Sequence, residues 1–150
     1  MTVHLVKMAV GVEDVARLAA LQKTRLERAR QVDAKEAKLV HVTRNRPRRE
    51  KELLDGGSIY WVINRFVRVR QKILGLEDAM RNDGRHVCAV VLDPRLIPTR
   101  LLPFRPFQGW RYLETAKAPD DQAKGLEADK DSEPDVPPGM AAELRELGLL

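Results

Sequence analysis

The stretch 58–74, SIYWVINRFVRVRQKIL, constrains the fold more than any other part of the sequence. It is rich in β-branched and aromatic residues, which favour strands over helices. Asn64 and Arg65 interrupt it at a point where a turn or a bulge would let the chain double back. The stretch therefore predicts sheet structure with a break in its middle, and a single helix remains the alternative.

Alternation along residues 66–74 would give the second half of this stretch one basic and one apolar face. The basic face would carry Arg68, Arg70 and Lys72. The apolar face would carry Val67, Val69 and Ile73. Such a strand buries its apolar side in a core and leaves arginine for solvent or for an anion.

The remaining segments predict a mixed domain. Strands are predicted at 3–10, 38–43, 86–92 and 110–113, and helices at 12–31 and 47–54. The turn Asn82-Asp83-Gly84 predicts that the strand after it pairs back on the previous one. Residues 94–109 contain four prolines and are predicted to be an extended or looped connection. The fold class is therefore α+β: a small mixed, mostly antiparallel sheet, compatible with a pseudo-barrel, with one long and one short helix.

The charge is divided unevenly along the chain. Residues 1–113 carry 23 Lys and Arg against 12 Asp and Glu, whereas residues 114–150 carry 4 against 10. This predicts a basic α+β domain over 1–113 that binds an anionic partner or is shielded by its own tail. A charged surface that only keeps the protein in solution is the alternative.

The acidic tail has two predicted parts. Residues 114–139 lack apolar periodicity and predict a disordered linker. Residues 140–150 predict a short amphipathic helix, which is too short to be stable alone in water. We therefore expect this helix to dock on its own domain or on a protein partner.

The sequence also bears on where the protein resides. No apolar run approaches the ~20 residues that a membrane-spanning helix needs. Lys7 interrupts the apolar N-terminus, which has no small-residue cleavage site. The lone Cys88 fits a reducing compartment and excludes an internal disulfide. We therefore expect a cytoplasmic protein without a membrane contact.

Basic and aromatic residues interleave along the chain. The basic residues are Arg44, Arg46, Arg48, Arg49, Arg65, Arg68, Arg70 and Lys72. The aromatic residues are Tyr60, Trp61, Phe66, Trp110 and Tyr112. Many modules hold single-stranded nucleic acid with such residues on a sheet face. The alternative is that Trp61 and Phe66 belong to the core and that the arginines form a solvated face.

Signals for catalysis, metals and cofactors are weak. His41, His86 and Cys88 could meet, but a His-x-Cys pair on a strand lacks a chelating loop and the chain has no second cysteine. Residues 56–58 lack the lysine and the spacing of a phosphate-binding loop, so a helix end followed by a turn is predicted. We expect no metal and no cofactor, and the sequence favours a binding module over an enzyme.

Several blocks of the sequence resemble a known family. The blocks are GGSIYWVI, RQKILGLE and RPFQGWRYL, with HLVKMAVGVEDV near the start and ELGLL at the end. They resemble an alphaproteobacterial family known as domain of unknown function 1489, over nearly the whole chain. The family pattern has Lys-Gly after YWVI, where this chain has Asn64 and Arg65. The resemblance implies no activity.

The resemblance does imply which residues fall in the recognisable blocks. They are Thr43, Arg44, Gly57, Ser58, Tyr60, Trp61, Arg70, Gln71, Gln108, Trp110 and Arg111. With the charge pattern, the ligand-binding candidates become Arg44, Ser58, Tyr60, Arg68, Arg70, Gln71, Gln108, Trp110 and Arg111.

Three functions remain open from the sequence. The first is a binding module for nucleic acid, RNA rather than DNA, or for another phosphate ligand, with the acidic tail competing for the same surface. The second is a protein-interaction or accessory factor that docks through its C-terminal helix. The third is an enzyme acting on a phosphorylated small molecule, in a pocket lined by Arg70, Gln108 and Trp110.

Overall fold

A computed structural model describes residues 1–122 of the chain. The helices are α1 (Val15–Val32) and α2 (Glu50–Leu53), and Thr115–Lys117 form a 3-10 turn. The strands are β1 (Val3–Met8), β2 (Leu39–Thr43), β3 (Ser58–Ile63), β4 (Phe66–Met80), β5 (His86–Leu92), β6 (Ile97–Pro103) and β7 (Trp110–Glu114). The predicted α+β class, with one long and one short helix, is confirmed.

The seven strands of residues 1–122 form one mixed sheet in the order β2-β5-β4-β3-β1-β7, with β6 paired to β4. β1 and β3 are parallel, and the other pairs in this region are antiparallel. The long strand β4 pairs with β3 along one part and with β5 along another. No pairing within the described region closes the sheet, so the pseudo-barrel does not form.

The break at Asn64-Arg65 is a two-residue hairpin turn between β3 and β4. Both residues have positive φ, at 50° and 68°, as a type I′ turn requires. The Asn64 side chain donates a hydrogen bond to the backbone carbonyl of Glu13, which ties the turn to the segment before α1. The helical alternative for 58–74 is therefore wrong.

One of the six residues assigned to the faces of β4 was placed wrongly. Arg68, Arg70 and Lys72 are more exposed than the residues between them, as alternation predicts. Val69 and Ile73 pack in the larger core cluster, but Val67 packs in a different cluster on the other side of the sheet. The pairing of β4 with β3 and with β6 shifts register here, so the bulge reverses the face on which Val67 lies.

The prediction that 94–109 is only a connection was wrong. This segment contains β6, which pairs with the first half of β4. Pro98 and Pro103 lie within this strand. Proline is tolerated here because β6 is an edge strand, so the backbone groups on its outer side are not needed for pairing with β4.

The sheet separates two cores. The larger one lies between the sheet and the helices, and we call this side the helix face; it includes Leu18, Leu53, Trp61 and Ile73. The smaller one lies on the opposite side, which we call the strap face, and it includes Val6, Tyr60 and Leu113, with Phe104 and Phe107 packed against it.

Helix α1 rests on the helix face along a narrow strip. Asp14 caps its N-terminus by accepting a hydrogen bond from the backbone N–H of Arg17. Leu18 and Gln22 are its buried residues, while Leu26 is half-buried. A helix of this length with so small a buried strip leaves space between itself and the sheet.

The start of the acidic tail lies along the sheet. Residues 120–122 run beside β6: the Arg100 N–H donates to the carbonyl of Asp120 at 2.8 Å, and the Gln122 N–H donates to that of Pro98 at 3.0 Å. We call residues 120–122 the strap. The rest of the expected linker and the expected C-terminal helix at 140–150 lie outside the described residues. No helix within 1–122 is long and apolar enough to cross a bilayer.

The hairpin turn yields a test of stability. Arg65 has a left-handed backbone, which costs a residue with a side chain about 1–2 kcal/mol, whereas glycine adopts it freely. We expect Arg65→Gly to raise the free energy of unfolding by about 0.5–1 kcal/mol in urea denaturation. Arg95→Gly is the matched control, because Arg95 is exposed and has negative φ, and this change should lower stability. Equal losses in both variants would contradict the assignment.

Candidate functional site

Several arginines of the predicted basic surface are paired with carboxylates. Arg46 contacts Glu50 and Asp78, each at 2.5 Å. Arg49 contacts Glu52 and, at 2.9 Å, Glu114. These pairs neutralise much of the basic segment that follows β2. The strong net charge of the domain therefore does not produce a correspondingly strong unpaired cluster there.

Three of the predicted ligand-binding residues are arginines that lie in different parts of the fold. Arg44 is exposed after β2. The Arg111 guanidinium stacks 4.6 Å from the ring centre of Phe107, on the strap face. Arg68 donates to the backbone carbonyl of Ile63 at 2.8 Å and lies over the ring of Phe66. These side chains do not converge on one concave site.

Trp110 holds a loop in place. Its indole Nε1 donates a hydrogen bond to the backbone carbonyl of Asn45 at 3.0 Å, and its ring meets Tyr112 edge-on at 4.9 Å. The Tyr112 hydroxyl in turn accepts a bond from the backbone N–H of Arg49 at 3.0 Å. Both aromatic side chains thus fix the basic loop against β7. Gln108 is exposed in the loop before β7.

Ser58, Tyr60 and Arg70 come together on the strap face. The Arg70 guanidinium donates to the hydroxyl of the fully buried Ser58 at 2.9 Å. It also grips both carboxylate oxygens of Asp121, at 2.7 and 2.9 Å. Hydrogen bonding to Asp121 raises the pKa of Arg70, and burial raises the pKa of Tyr60. Of the predicted candidates, these three form a real cluster, and a carboxylate already occupies it.

Gln71 lies on the helix face, away from that cluster. It is fully buried, and its side-chain amide exchanges two hydrogen bonds with Gln22 of α1, at 2.7 and 2.8 Å. It also accepts from the Trp61 indole at 2.8 Å and donates to the carbonyl of Asp93 at 3.1 Å. Both amide atoms are satisfied, so Gln71 is structural. The predicted candidates therefore divide between the two faces of the sheet.

Residues 56–58 form no phosphate-binding loop. Gly56 has φ of 83° just after α2, and the Gly57 N–H donates to the carbonyl of Leu53 at 2.9 Å. A Cβ at Gly57 would lie 2.3 Å from that carbonyl oxygen and 2.4 Å from the one of Val3. The two glycines follow the end of the helix, as predicted, and the structure adds that Gly57 allows a close approach of two backbone carbonyls.

A cavity of about 180 Å³ lies on the helix face, between α1, β2 and β1. Its wall includes the cationic residues Lys7 and Arg25, the imidazole of His41, Gln22 and Trp61. Apolar residues such as Leu18 and Leu39 form much of the rest. Among residues 1–122, neither Lys7 nor Arg25 forms an ion pair. This cavity is the second candidate site, and it combines positive charge with an apolar wall.

His41 is the least satisfied polar group of the cavity wall. Its Nε2 atom is buried and has no hydrogen-bond partner within the described chain. Its ring meets the Trp61 ring edge-on at 5.0 Å. Burial, with smaller contributions from Lys7 and Arg25, lowers the pKa of His41 to about 4. The imidazole is therefore neutral at pH 7, with one ring nitrogen unpaired.

Lys7 is held where a lysine is costly. Its neighbours in the sheet are Trp61 on β3 and Trp110 on β7. Burial lowers the pKa of its ammonium group. A partly desolvated cation that has no ion pair with any residue from 1 to 122 carries a free-energy cost, which an anionic ligand would relieve.

Sequence reasoning missed this cavity, although two signals were present. Lys7 alternates with Val3 and Leu5 on a strand, so a cation on their face was visible from the pattern. The second signal was His41, which the pattern suggested only as a metal ligand. No group of three potential metal-binding side chains occurs within residues 1–122. Arg25 gave no signal, because its position beside the cavity depends on how α1 is seated.

The Gln71 network yields a test of stability. Gln71→Leu would leave the buried amide of Gln22 and the Trp61 indole without partners, at about 1–3 kcal/mol for each. We expect a loss of about 2–5 kcal/mol in urea denaturation. The double variant with Gln22→Leu should recover part of this loss, because one orphaned amide is removed. If the two single losses simply add in the double variant, the network is not as described.

The buried imidazole yields a pH test. The folded chain protonates His41 near pH 4, whereas the unfolded chain does so near 6.5. The unfolded state therefore binds more protons between these values, and the free energy of unfolding falls as the pH drops through them. His41 should contribute up to about 3 kcal/mol of this fall. His41→Phe should remove it, while the exposed His86→Gln should not; equal pH profiles for all three proteins would contradict the prediction.

Comparison with known proteins agrees with the resemblance seen in the sequence blocks. The model of a family described as protein of unknown function (DUF1489) matches residues 5–150. No curated protein and no solved structure gave a match. The family match spans nearly the whole chain, including Ser58, Tyr60, Arg70 and all the residues that line the cavity. The chain therefore belongs to the DUF1489 family.

Proposed function

We propose that the protein is a binding module for a small anionic ligand, held in the cavity between α1 and the sheet. The observation that supports this is the wall formed by Lys7, Arg25 and Nε2 of His41, an atom without a hydrogen-bond partner in the part of the chain that the structure describes. An oxyanion there would neutralise two cations and accept or share a proton at the imidazole. Protonated His41 would then be a third positive group.

The size and lining of the cavity narrow the ligand class. About 180 Å³ is below the roughly 300–1,000 Å³ of sites for drug-sized ligands. The apolar wall and the Trp61 ring would contact a short carbon skeleton. A compact carboxylate or phosphate ester fits this description better than a nucleotide does.

Nucleic-acid binding, which the sequence also suggests, has less support. Arg46, Arg49 and Arg70 are satisfied by carboxylates. Tyr60 and Trp61 are buried, so neither offers a face for a base to stack on. The weaker support for this hypothesis follows from these contacts, and a salt-dependent RNA titration remains its direct test.

Two further hypotheses come from the sequence, and the structure bears on only one of them. Docking through the C-terminal helix concerns residues outside the described chain. An enzyme pocket lined by Arg70, Gln108 and Trp110 has little support, because Arg70 lies on the strap face, Gln108 is exposed, and Trp110 holds a loop on the helix face. The proposed location is the cytoplasm, with Cys88 as a free thiol.

The test titrates inorganic phosphate, and separately acetate, into the full-length protein, with sodium chloride at matched ionic strength as the blank. Nuclear magnetic resonance of the His41 ring gives both saturation and pKa. We expect a saturable shift, and we expect the pKa of His41 to rise from about 4 because an anion favours the protonated ring.

Variants decide whether the cavity is responsible. Lys7→Gln and Arg25→Gln should each weaken binding about tenfold, which corresponds to about 1.4 kcal/mol. Arg28→Gln is the matched control, since Arg28 is exposed on α1 as Arg25 is, but does not line the cavity. The proposal fails if neither phosphate nor acetate at ~50 mM shifts the His41 signal more than sodium chloride does. It also fails if all three variants bind alike.

A further inference from the structure

The strap occupies a site that has two separate recognition elements. One is the backbone edge of β6, which bonds to residues 120 and 122 and forms a bridge between Thr99 and Asp121. The other is Arg70, which holds the Asp121 carboxylate with two parallel hydrogen bonds. This combination of a strand edge with a side-chain contact is how several domains bind extended peptides.

The Arg70 fork is built in advance of the strap. Its third nitrogen is bonded to Ser58, which is fully buried in β3. Ser58 is itself fixed, because its backbone N–H donates to Nδ1 of His4 at 2.9 Å. Burial and the charge of Arg70 lower the pKa of His4, so its ring stays neutral beside the guanidinium. The fork therefore faces outward in a defined orientation.

The strap is held in a way that permits exchange. The Arg70 side chain is 24% exposed and that of Asp121 45% exposed. Two parallel hydrogen bonds make this pair stronger than an ordinary surface ion pair, yet the access of water to both side chains keeps it exchangeable. Three strap residues form only a short ladder with β6, and their removal would leave the β6 edge and Arg70 in place.

We infer that the β6 edge and Arg70 form a recognition site for an extended peptide segment carrying an aspartate or glutamate, and that the strap is its intramolecular occupant. The ladder along β6 accepts any extended backbone. Arg70 selects for the carboxylate, because a planar guanidinium matches two carboxylate oxygens. An acidic segment of a partner protein would replace the strap residue for residue.

The inference does not rest on the anion cavity, which lies on the opposite face of the sheet. The tethered strap also sets a minimum affinity that a partner segment must reach. A tethered segment competes at an effective concentration in the millimolar range. A partner segment must therefore bind better than the strap does, through added ladder bonds or additional side-chain contacts.

The first measurement asks whether Asp121 holds the strap. In full-length Asp121→Asn, hydrogen exchange of the Gln122 amide should be at least about tenfold faster than in the wild type, because the strap leaves the edge more often. Asp120→Asn is the matched control: the Asp120 carboxylate makes no ion pair within residues 1–122, so this change should leave the exchange rate within about twofold of the wild type. Unchanged exchange in Asp121→Asn overturns the inference.

The second measurement supplies the segment from outside. A synthetic peptide with the sequence of residues 115–124 is titrated into full-length Asp121→Asn while amide resonances are followed. We expect shifts at residues 98–100, and binding at least about tenfold tighter than to the wild type. The same peptide with asparagine in place of Asp121 should bind at least about tenfold more weakly.

A third variant separates the fork from charge alone. Adding Arg70→Lys keeps the charge and loses the two-pronged geometry, so the preference for the aspartate peptide should fall to about twofold or less. Cooperative urea unfolding confirms that each variant is folded. The inference is overturned if both peptides bind alike to Asp121→Asn, if the shifts lie away from β6, or if ~5 mM peptide does not bind.

Discussion

The side-chain amide of Gln71 is the point at which the helix face is held together. It connects β4 to α1 through Gln22, to β3 through Trp61, and to the segment after β5 through the carbonyl of Asp93. Apolar contacts alone would seat α1 weakly, since Leu18 is its main buried apolar residue. A buried, fully paired amide stabilises the contact and also fixes the orientation of α1, because its hydrogen bonds form in one arrangement only. The position of α1, and with it the shape of the cavity, follows from this network.

Where the protein carries unpaired positive charge depends on its salt bridges and not on its net charge. The domain is strongly basic in composition, yet Arg46, Arg49 and Arg70 each contact carboxylates that come from distant parts of the sequence. Two other groups without a partner within the described chain are buried or half-buried: Lys7 beside an apolar wall, and His41 with one unpaired ring nitrogen. For ligand binding, a partly desolvated cation such as Lys7 counts more than an exposed one, because water screens it less.

Much of the fold could be predicted from local pattern. The β3–β4 hairpin, the edge position of β7 and the helix α1 follow from residue type, alternation and turn chemistry. The strand β6 was missed because its prolines argue against a strand, and only its marginal position removes that objection. Val67 was misplaced because a bulge depends on the partner strands. Less of the candidate site follows from local pattern. Ser58, Tyr60 and Arg70 cluster on one face of the sheet, but Gln71 lies on the other face. Arg25 lines the cavity only because of how α1 is seated.

The strap also covers a strand edge that would otherwise be exposed to other chains. A strand at the margin of a sheet offers unpaired backbone groups to any other strand, and natural proteins cover such margins or place charge on them. Here the start of the acidic tail does both for β6, by bonding to Pro98 and Arg100 and by placing carboxylates beside them. A chain ending before Asp120 would lose this cover and present a bare strand margin, so self-association would be the expected fate of the shortened domain.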